Sequence, residues 1–425
     1  MRYLPIIFHV VFISFTVLNS FFGPKIYQDY NKWPVFLFMM VYLFTVYWGF
    51  KIGFSKSLKT EKYKFVPNLE KITQTAILIS VILILINSVY LFLSEKLSMD
   101  ITQIGANYSN YYEYYYKKKD SSLFTFENIF LVLIAIPKFI STTLGFFYFK
   151  QLNKTTKRLF VALIILILVT QTLSLGNQKS IGDLVIFASV ILLIKSTWYS
   201  LKLRRKLLKR IGVVFILLFT ILSYTQFSRL NSRDIGYKEL NDKMASYAKF
   251  DFEHPIFKVF GYQYGLGIAT FTTGYLSNGY YGLSKMLEME FDWSYGVGHS
   301  VALTSIIEKV TDEEIYEKTY LHRMEEEFNI PGKRHWHTIF PWFASDFTFF
   351  GTIIIFYFLS FIYGKCWREV LQFKNPFSIL LFCLLTVLFM FVPANNQILH
   401  GFDYLLVTIT VAWIWAKYHK RLNHN

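Results

Sequence analysis

The sequence predicts an all-α, polytopic integral membrane protein with about ten transmembrane helices and one large extracytoplasmic loop. Three observations support this fold class. Hydrophobic residues occupy 54% of the 425 positions and charged residues only 17%, and the mean hydropathy is positive, at +0.35. Apolar stretches of about 20 residues, the length that crosses a bilayer, recur along most of the chain. Lysine and arginine are concentrated in every second connection between those stretches.

Ten apolar windows define the predicted helices. They lie at 4–22, 34–54, 72–93, 127–149, 158–176, 182–198, 211–227, 336–364, 377–393 and 403–417. The first window differs from a cleaved signal peptide, because its basic region is only Met1-Arg2 and no small-residue cleavage motif precedes the turn that follows it. We therefore expect a retained first helix and three regions. These are helices 1 to 7 at 1–227, the large loop at 228–335, and helices 8 to 10 at 336–425.

The basic residues predict the orientation of the chain. With the N-terminus inside, the inside segments are 1–3, 51–71, 150–158, 195–210, 365–374 and 417–425. They hold 24 of the 44 Lys and Arg residues but only three of the 28 acidic residues. Short loops rich in Lys and Arg stay on the cytoplasmic side, so this alternation predicts both helix count and direction. The net charge of +16 is thus attributed to topology and lipid headgroups, and no nucleic-acid partner is expected.

The large loop begins with two arginines that could bind an anion. Arg229 and Arg233 are four residues apart, so they would share one face if the preceding helix continued. Two guanidinium groups on one face suit a diphosphate, whose oxygens accept paired N–H donors. The alternative is that both arginines anchor the helix to lipid headgroups. Lys179, in a short outer turn between two predicted helices, could reach the same anion or could simply be solvated.

An uncharged aromatic stretch follows at 271–284. It is too polar for a spanning helix and too apolar for a free loop, so we expect it to pack over the helix bundle or to dip into the interface. Aromatic rings next to hydroxyl and amide groups suit sugars. The candidate sugar-binding residues are Tyr275, Asn278, Tyr280, Tyr281 and, further along, Trp293. Packing at the helix mouths is the alternative for each tyrosine.

Ionisable residues gather at the start of the eighth predicted helix. If that helix begins at Arg334-His335-Trp336-His337, then His335, Trp342 and Asp346 lie near one stripe, which Pro341 should bend. An acidic residue within a membrane helix indicates function, although Asp346 could equally pair with a lysine, Lys138 or Lys179. The candidate bases are Asp346, His337, His299 and His335, and Arg334 joins the candidate diphosphate-binding residues.

Several other chemistries lack their motifs. The sequence contains no Walker A loop, no HExxH, no GxSxG and no paired CxxC. The two cysteines, Cys366 and Cys383, fall in a basic loop and inside a predicted helix, so neither a disulfide framework nor a cysteine metal site is expected. We expect no cofactor and no metal.

With these motifs in this order, the chain resembles the bacterial repeat-unit polymerases of O-antigen and capsule, the Wzy-type oligosaccharide polymerases. The resemblance rests on Gly274 to Ser284, on Trp293 to Ser300, and on His337-Thr338 followed by Asp346-Phe347 and Gly351. It covers roughly the last half of the chain, and elsewhere only the helix pattern.

The chain departs from the family pattern at two positions. Lys179 stands where many relatives have an arginine, which keeps the charge but loses the bidentate fork. Asp346-Phe347-Thr348 stands where many relatives have Asp-Phe-Gly, which leaves the acid in place.

The resemblance implies a glycosyltransferase at the outer face of the bacterial cytoplasmic membrane. Such an enzyme joins polyprenyl-diphosphate-linked oligosaccharides into O-antigen or capsular polysaccharide. Its implied partners are the lipid-linked oligosaccharide and the bilayer, with a chain-length regulator and a flippase as further ones. Two alternatives stay open. One is an O-antigen ligase, which would share the donor and the topology. The other is a lipid-linked oligosaccharide flippase or another transporter, which should show internal repeats or charged residues near the bilayer midplane.

Overall fold

The computed structural model describes residues 2–55, 68–94, 126–174, 178–198, 201–231, 241, 247–332, 335 and 337–423. Helix is the dominant element in these ranges. The α-helices are α1 (Leu4–Phe22), α2 (Lys32–Ser55), α3 (Leu69–Leu93), α4 (Phe126–Tyr148), α5 (Lys154–Ile167), α6 (Gln178–Thr197), α7 (Leu201–Asn231), α8 (Pro255–Gly274), α9 (Asn278–Met286), α10 (Val301–Thr311), α11 (Tyr320–Phe328), α12 (Phe340–Phe373), α13 (Pro376–Met390) and α14 (Phe402–Asn423). A π-helix at Leu168–Ser174 continues α5, a 3₁₀ helix covers Ile315–Lys318, and two strands, β1 (Lys25–Tyr27) and β2 (Ala248–Phe250), pair with each other.

Seven helices of the described chain are long and apolar enough to cross a membrane. They are Leu4–Phe22, Lys32–Ser55, Leu69–Leu93, Ile129–Tyr148, Lys179–Thr197, Arg205–Ser228 and Phe340–Phe373. Large apolar side chains stay uncovered on their surfaces, such as Phe44 at 66% and Leu93 at 76% exposure, which lipid accommodates and water does not. The predicted class, an all-α membrane-embedded protein, is therefore confirmed. The other three predicted windows fall on α5 with its π-helix, α13 and α14, and the total of ten spans stays a prediction.

The chain divides into two compact units that do not follow its order. Unit 1 contains Met1–Lys56, Arg233–Arg368 and Val387–Phe402. Unit 2 contains Ser57–Ser232, Glu369–Thr386 and Asp403–Asn425. The first two helices therefore belong with the region of the large predicted loop, and the next five described helices form most of the other unit.

In unit 1, α2 and α12 approach closely through small residues. A Cβ atom added to Gly53 would lie 2.0 Å from the carbonyl oxygen of Phe361, and one added to Gly49 would lie 2.5 Å from that of Tyr357. Gly364 of α12 is placed in the same way, 2.2 Å from the carbonyl oxygen of Phe50. The four-residue spacing of Gly49 and Gly53 is the small-xxx-small pattern by which membrane helices bring their backbones into contact.

A stack of three tyrosines connects the short sheet of unit 1 to α9. In the sheet, β1 and β2 are antiparallel, with Lys25 opposite Phe250. The ring of Tyr281 lies parallel to those of Tyr27 and Tyr247, with ring centroids 4.8 Å and 5.4 Å away. We call Tyr27, Tyr281 and Tyr247 the tyrosine stack. It belongs to a buried core that includes residues of α9, α11 and α12, so it fixes the segment after α1 against the helices that carry the candidate site.

An apolar core and a buried serine pair connect the helices of unit 2. Isoleucines of α3 and α4, Ile77, Ile84 and Ile134, pack with Phe160 and Leu163 of α5. Within this apolar environment the hydroxyls of Ser80 and Ser141 lie 3.0 Å apart, so each side chain has a hydrogen-bond partner where lipid offers none. Leu184 of α6 joins the same core.

The start and the bend of α12 differ from the prediction. The helix begins at Phe340, so His335 precedes it and does not share a helical stripe with Asp346. Pro341 lies in the first turn, where its missing N–H leaves no helical hydrogen bond unmade, so the predicted bend there is wrong. The backbone instead leaves helical geometry at Thr348, with φ 61° and ψ 166°, a region that is essentially restricted to glycine.

Candidate functional site

A tight turn after Trp293 encloses the carboxylate of Asp346. Oδ1 of Asp346 accepts hydrogen bonds from the hydroxyl of Ser294 at 2.6 Å and from the backbone N–H of Gly298 at 3.0 Å. Oδ2 accepts from the backbone N–H of His299 at 2.9 Å and lies 2.8 Å from its ring Nδ1. The Asp346 side chain is 0% exposed. Burying a carboxylate is very unfavourable unless it is fully hydrogen-bonded, and this turn supplies four partners.

The same contacts orient the ring of His299. A carboxylate only accepts hydrogen bonds, so Nδ1 of His299 carries the hydrogen and Nε2 is left to accept a proton. The ring also stacks on Phe343, with centroids 5.8 Å apart, and Asn396 donates a 2.7 Å hydrogen bond to the His299 carbonyl. The His299 side chain is 17% exposed, in contrast to the enclosed Asp346. We call His299 and Asp346 the dyad; it has the arrangement of a general base with its orienting carboxylate.

The local sequence explains why this turn forms. Tyr295 and Gly296 have φ angles of 56° and 80°, and the glycine adopts this region without strain. Gly298 is confined more tightly, since a Cβ there would lie 2.1 Å from the Ser294 hydroxyl. Ser300 then caps α10 by accepting a hydrogen bond from the N–H of Leu303. The turn therefore ends as a helix begins, which holds its N–H groups around the carboxylate.

The other two histidines predicted as bases have different environments. His337 is 2% exposed and its Nε2–H donates to the carbonyl of Pro331 at 3.2 Å. Its Nδ1 has no hydrogen-bond partner in the described chain, and burial lowers its pKa from 6.5 to about 4. Nδ1 of His335 lies 2.8 Å from the hydroxyl of Tyr247, and burial lowers its pKa to about 4 as well. Both imidazoles are therefore neutral near pH 7, and their hydrogen bonds do not lead to Asp346.

Most of the candidate sugar-binding residues are engaged in packing. Tyr280 is 0% exposed and its hydroxyl lies 2.9 Å from that of Thr16. Tyr281 forms the middle of the tyrosine stack at 5% exposure, and the side-chain oxygen of Asn278 accepts hydrogen bonds from Lys25 and Tyr27. Tyr280 and Tyr281 are thus packed, as in the alternative considered above for the tyrosines, and the side-chain oxygen of Asn278 is occupied by hydrogen bonds.

An aromatic pair next to the dyad is exposed. Trp293 is 53% and Tyr295 is 45% exposed, and their ring centroids lie 5.2 Å apart. Trp293 was a candidate sugar-binding residue, and Tyr295 was not. Tyr275, which was also a candidate, is partly exposed at the end of α8. Two rings at the surface, in the turn that carries His299, offer an apolar surface of the kind that sugar C–H faces contact.

The prediction that the candidate cations bind one diphosphate together stays a prediction, because most of them lie outside the described residues. The side chain of Arg229, at the end of α7, and the whole of Arg233 and Arg334 lie outside the described residues. Lys179 belongs to unit 2, where its ammonium lies 3.8 Å from the ring centroid of Tyr404. Asp346 is paired with His299, so the alternative of a lysine partner for Asp346 is wrong.

Unit 2 has a polar cluster of its own, which we call the α6 cluster: Lys138, Gln171, Ser180, Asp183 and Tyr404. Gln171, in the π-helix, accepts hydrogen bonds from Ser180 at 2.6 Å and from Lys138 at 3.4 Å. The hydroxyl of Tyr404 donates to Oδ2 of Asp183. Oδ1 of Asp183 is buried without a hydrogen-bond partner among the described residues, and all five residues line one cavity. Ionisable groups at this position in candidate membrane helices indicate a second polar site.

Several residues of these sites were not predicted. Ser294 and Asn396 hold the dyad, and Lys25 with Tyr247 completes the surroundings of Asn278 and His335. Lys25 could have been singled out from the sequence. It lies between the first two apolar windows, in a connection that is predicted to be outside, where lysine and arginine are less favoured. Ser294 lies in the same short stretch as His299, but nothing local links that stretch to Asp346.

In the described part of the chain, no three His, Cys, Asp or Glu side chains converge in a way that could hold a metal ion. Comparison of the chain with protein-family models, with curated protein sequences and with solved structures finds no match.

Proposed function

We propose that the chain is a polysaccharide polymerase that joins polyprenyl-diphosphate-linked oligosaccharide units by glycosyl transfer. The observation that carries the proposal is the dyad, in which Asp346 fixes the tautomer and direction of a surface-accessible His299. A sugar hydroxyl is a weak nucleophile, and an oriented imidazole that accepts its proton typically contributes about 10²–10⁴ in rate. The exposed rings of Trp293 and Tyr295 lie in the same turn, where an acceptor sugar would have to be held.

The reaction forms one glycosidic bond, breaks the bond to the diphosphate and moves one proton. The acceptor hydroxyl oxygen attacks the anomeric carbon of the donor, and its proton passes to Nε2 of His299. The bond between that carbon and the diphosphate oxygen breaks, and its electron pair leaves with the polyprenyl diphosphate. Asp346 is a positioning residue here, since it stabilises the imidazolium that forms. The donor is already activated, so the step is balanced without a nucleotide.

The proposed topology places this chemistry outside the cytoplasm. Ten spans with both termini inside would put 228–335, and with it His299, on the outer face of the bacterial cytoplasmic membrane. The support is the alternation of basic residues in the connections. A lipid-linked substrate delivered by a flippase would meet the site there, and a chain-length regulator is a further proposed partner.

The proposal is tested with the purified full-length protein in nanodiscs and a purified lipid-linked repeat unit. We expect longer lipid-linked oligosaccharides and free polyprenyl diphosphate, formed in step with each other. His322, whose ring contacts Glu326 on α11, provides a matched control: His322→Gln should polymerise at the parental rate while His299→Gln should not. Transfer of the oligosaccharide to water instead of to a second unit, or no product from any lipid-linked unit, would count against a polymerase.

A second candidate function, transport of a lipid-linked oligosaccharide, is favoured by the α6 cluster. Lys138 and Asp183 are ionisable residues in candidate membrane helices, which a transporter is expected to show and which the proposed glycosyl transfer does not use. The two functions can be distinguished in liposomes that contain the purified protein and a lipid-linked unit. A transporter would equilibrate the unit between leaflets in wild type and lose this in Asp183→Asn, whereas a polymerase would elongate it and leave its leaflet unchanged.

A further inference from the structure

Lys25 lies at the edge of the tyrosine stack, and among the described residues its ammonium uses only part of its hydrogen-bonding capacity. Its ammonium donates to the side-chain oxygen of Asn278 at 2.8 Å, and the same oxygen accepts from the hydroxyl of Tyr27 at 3.0 Å. The Lys25 nitrogen also lies 5.0 Å from the ring centroid of Tyr27. An ammonium has three N–H donors, and the Asn278 oxygen, which it shares with Tyr27, can accept from only one of them.

Lys25 also has no acidic partner in the described chain. By contrast, the exposed Lys258 lies 3.3 Å from a carboxylate oxygen of Glu253. Lys25 is half-buried, and burial lowers its pKa from 10.5 to about 8, with no acidic group of the described residues offsetting that effect. A cation removed from water without a counter-ion is unfavourable, and an anionic ligand would supply the missing charge.

His335 contacts the tyrosine stack through Tyr247. The hydroxyl of Tyr247 lies 2.8 Å from Nδ1 of His335, and the rings of Tyr247 and Tyr27 both stack on Tyr281. The sheet brings the two segments together, because β1, which carries Lys25, pairs with β2, which directly follows Tyr247. An ammonium, a phenol and an imidazole are the donors that phosphate oxygens accept from.

The position of Lys25 points to a lipid as the source of that phosphate. Lys25 follows the end of α1 by three residues, and α1 is a candidate membrane helix, so Lys25 lies near the depth of lipid phosphates. An apolar groove between α1 and α2 is lined by Val17, Phe21, Phe36 and Met39. It reaches the helix ends at Phe22 and Lys32, from which the segment with Lys25 emerges.

We propose that Lys25, with Tyr247 and His335, binds the phosphate group of a lipid-linked ligand whose apolar chain lies in the groove between α1 and α2. The inference rests on the proposed function in one respect, that the ligand is then the diphosphate of the glycosyl donor. Lys25 would hold the negative charge that grows on the leaving group as the anomeric bond breaks.

The test measures the reactivity of Lys25 in the full-length protein in nanodiscs. Trace acetylation followed by mass spectrometry gives the rate at each lysine as a function of pH, with farnesyl diphosphate, farnesol or inorganic pyrophosphate added. We expect farnesyl diphosphate to slow Lys25 at least tenfold near pH 8 and to move the midpoint of its pH profile upward, because a bound anion favours the ammonium form. Farnesol should have no effect, and pyrophosphate should act only at much higher concentration.

Lys249 is the matched control, since it lies on β2 opposite Ile26 in the same two-stranded sheet and is exposed. Its reactivity should not change with any of the three additions. Unchanged Lys25 reactivity with farnesyl diphosphate, or equal protection by farnesol, would overturn the site. Equal protection by pyrophosphate would overturn its assignment to a lipid-linked ligand.

A variant separates this inference from the proposed function. Farnesyl diphosphate could protect Lys25 while Lys25→Met, at normal membrane levels, still polymerises at the parental rate. This pair of results would support the binding site and refute its role in polymerisation. If Lys25→Met lowers polymerisation at least tenfold and Lys25→Arg restores most of it, both stand, because arginine keeps the charge.

Discussion

The carboxylate of Asp346 binds His299 twice, through the ring Nδ1 at 2.8 Å and through the backbone N–H at 2.9 Å. The two residues are 47 positions apart in the sequence. Because both groups are held by one carboxylate, the position of the imidazole and its tautomer are set together. The consequence is that Asp346 and His299 should behave as one functional unit, whereas His337 and His335 should not depend on Asp346.

Replacing Thr348 by glycine should stabilise the protein. Backbone strain of this kind costs about 1–3 kcal/mol for a residue with a side chain, and Thr348 adopts φ 61° and ψ 166°. The Thr348 hydroxyl also accepts a hydrogen bond from the N–H of Gly351, but replacing such a cap by glycine typically costs only a few tenths of a kcal/mol. Thr348→Gly should therefore raise the melting temperature in detergent. Thr352→Gly, in regular helix, should lower it, and the opposite order would refute the strain argument.

The stability of unit 1 should fall in mild acid because of its buried histidines. His337 has a folded-state pKa of about 4 against 6.5 when exposed, so the unfolded chain binds more protons between these values and stability is lost as the pH falls from 6.5 to 4. The shift corresponds to on the order of 3 kcal/mol. The melting temperature, measured at several pH values across this range, should depend less on pH in His337→Gln. In His322→Gln its dependence on pH should be the same as in the wild type. An unchanged slope in His337→Gln would show that other groups cause the loss.

Enlarging Gly53 should prevent correct assembly of α2 with α12. A leucine side chain there would overlap the Phe361 backbone, and overpacking typically costs about 1–3 kcal/mol or more. Gly53→Leu should reduce the amount of folded protein in the membrane, measured by fluorescence-detected gel filtration. The control is Gly212→Leu on α7, since no atom lies within 4 Å of a Cβ added to Gly212. Equal yields of the two variants would contradict the close approach.

The orientation can be tested with single cysteines. Cys366 and Cys383 are both buried, so background labelling of intact cells by an impermeant maleimide should be low. Leu208→Cys lies in a predicted inside loop and Lys249→Cys in the predicted outer region. We expect labelling of Lys249→Cys alone before lysis and of both after lysis, and labelling of Leu208→Cys in intact cells would refute the predicted topology.

The helices could be predicted from sequence because membrane insertion depends on local hydropathy. Each apolar window coincides with a described helix. The start of α12 was placed four residues too early, because the mixed polar and aromatic residues at 335–339 do not mark a clear boundary in hydropathy. The stretch from Trp293 to Ser300 and the acid at Asp346 could be identified separately. Their contact could not, since a pairing across 47 residues has no local signature. The same holds for Lys25 and Asn278, which are 253 residues apart.

The measurement that tests the account most directly is a double-mutant cycle on the dyad. The initial rate of polymerisation of a purified lipid-linked unit is compared for wild type, His299→Gln, Asp346→Asn and the double variant, each at equal protein level in nanodiscs. We predict that each single change lowers the rate by about 10²–10⁴ and that the double variant is no slower than His299→Gln, because Asp346 acts through His299. A parental rate in His299→Gln, or fully additive losses in the double variant, would contradict the account.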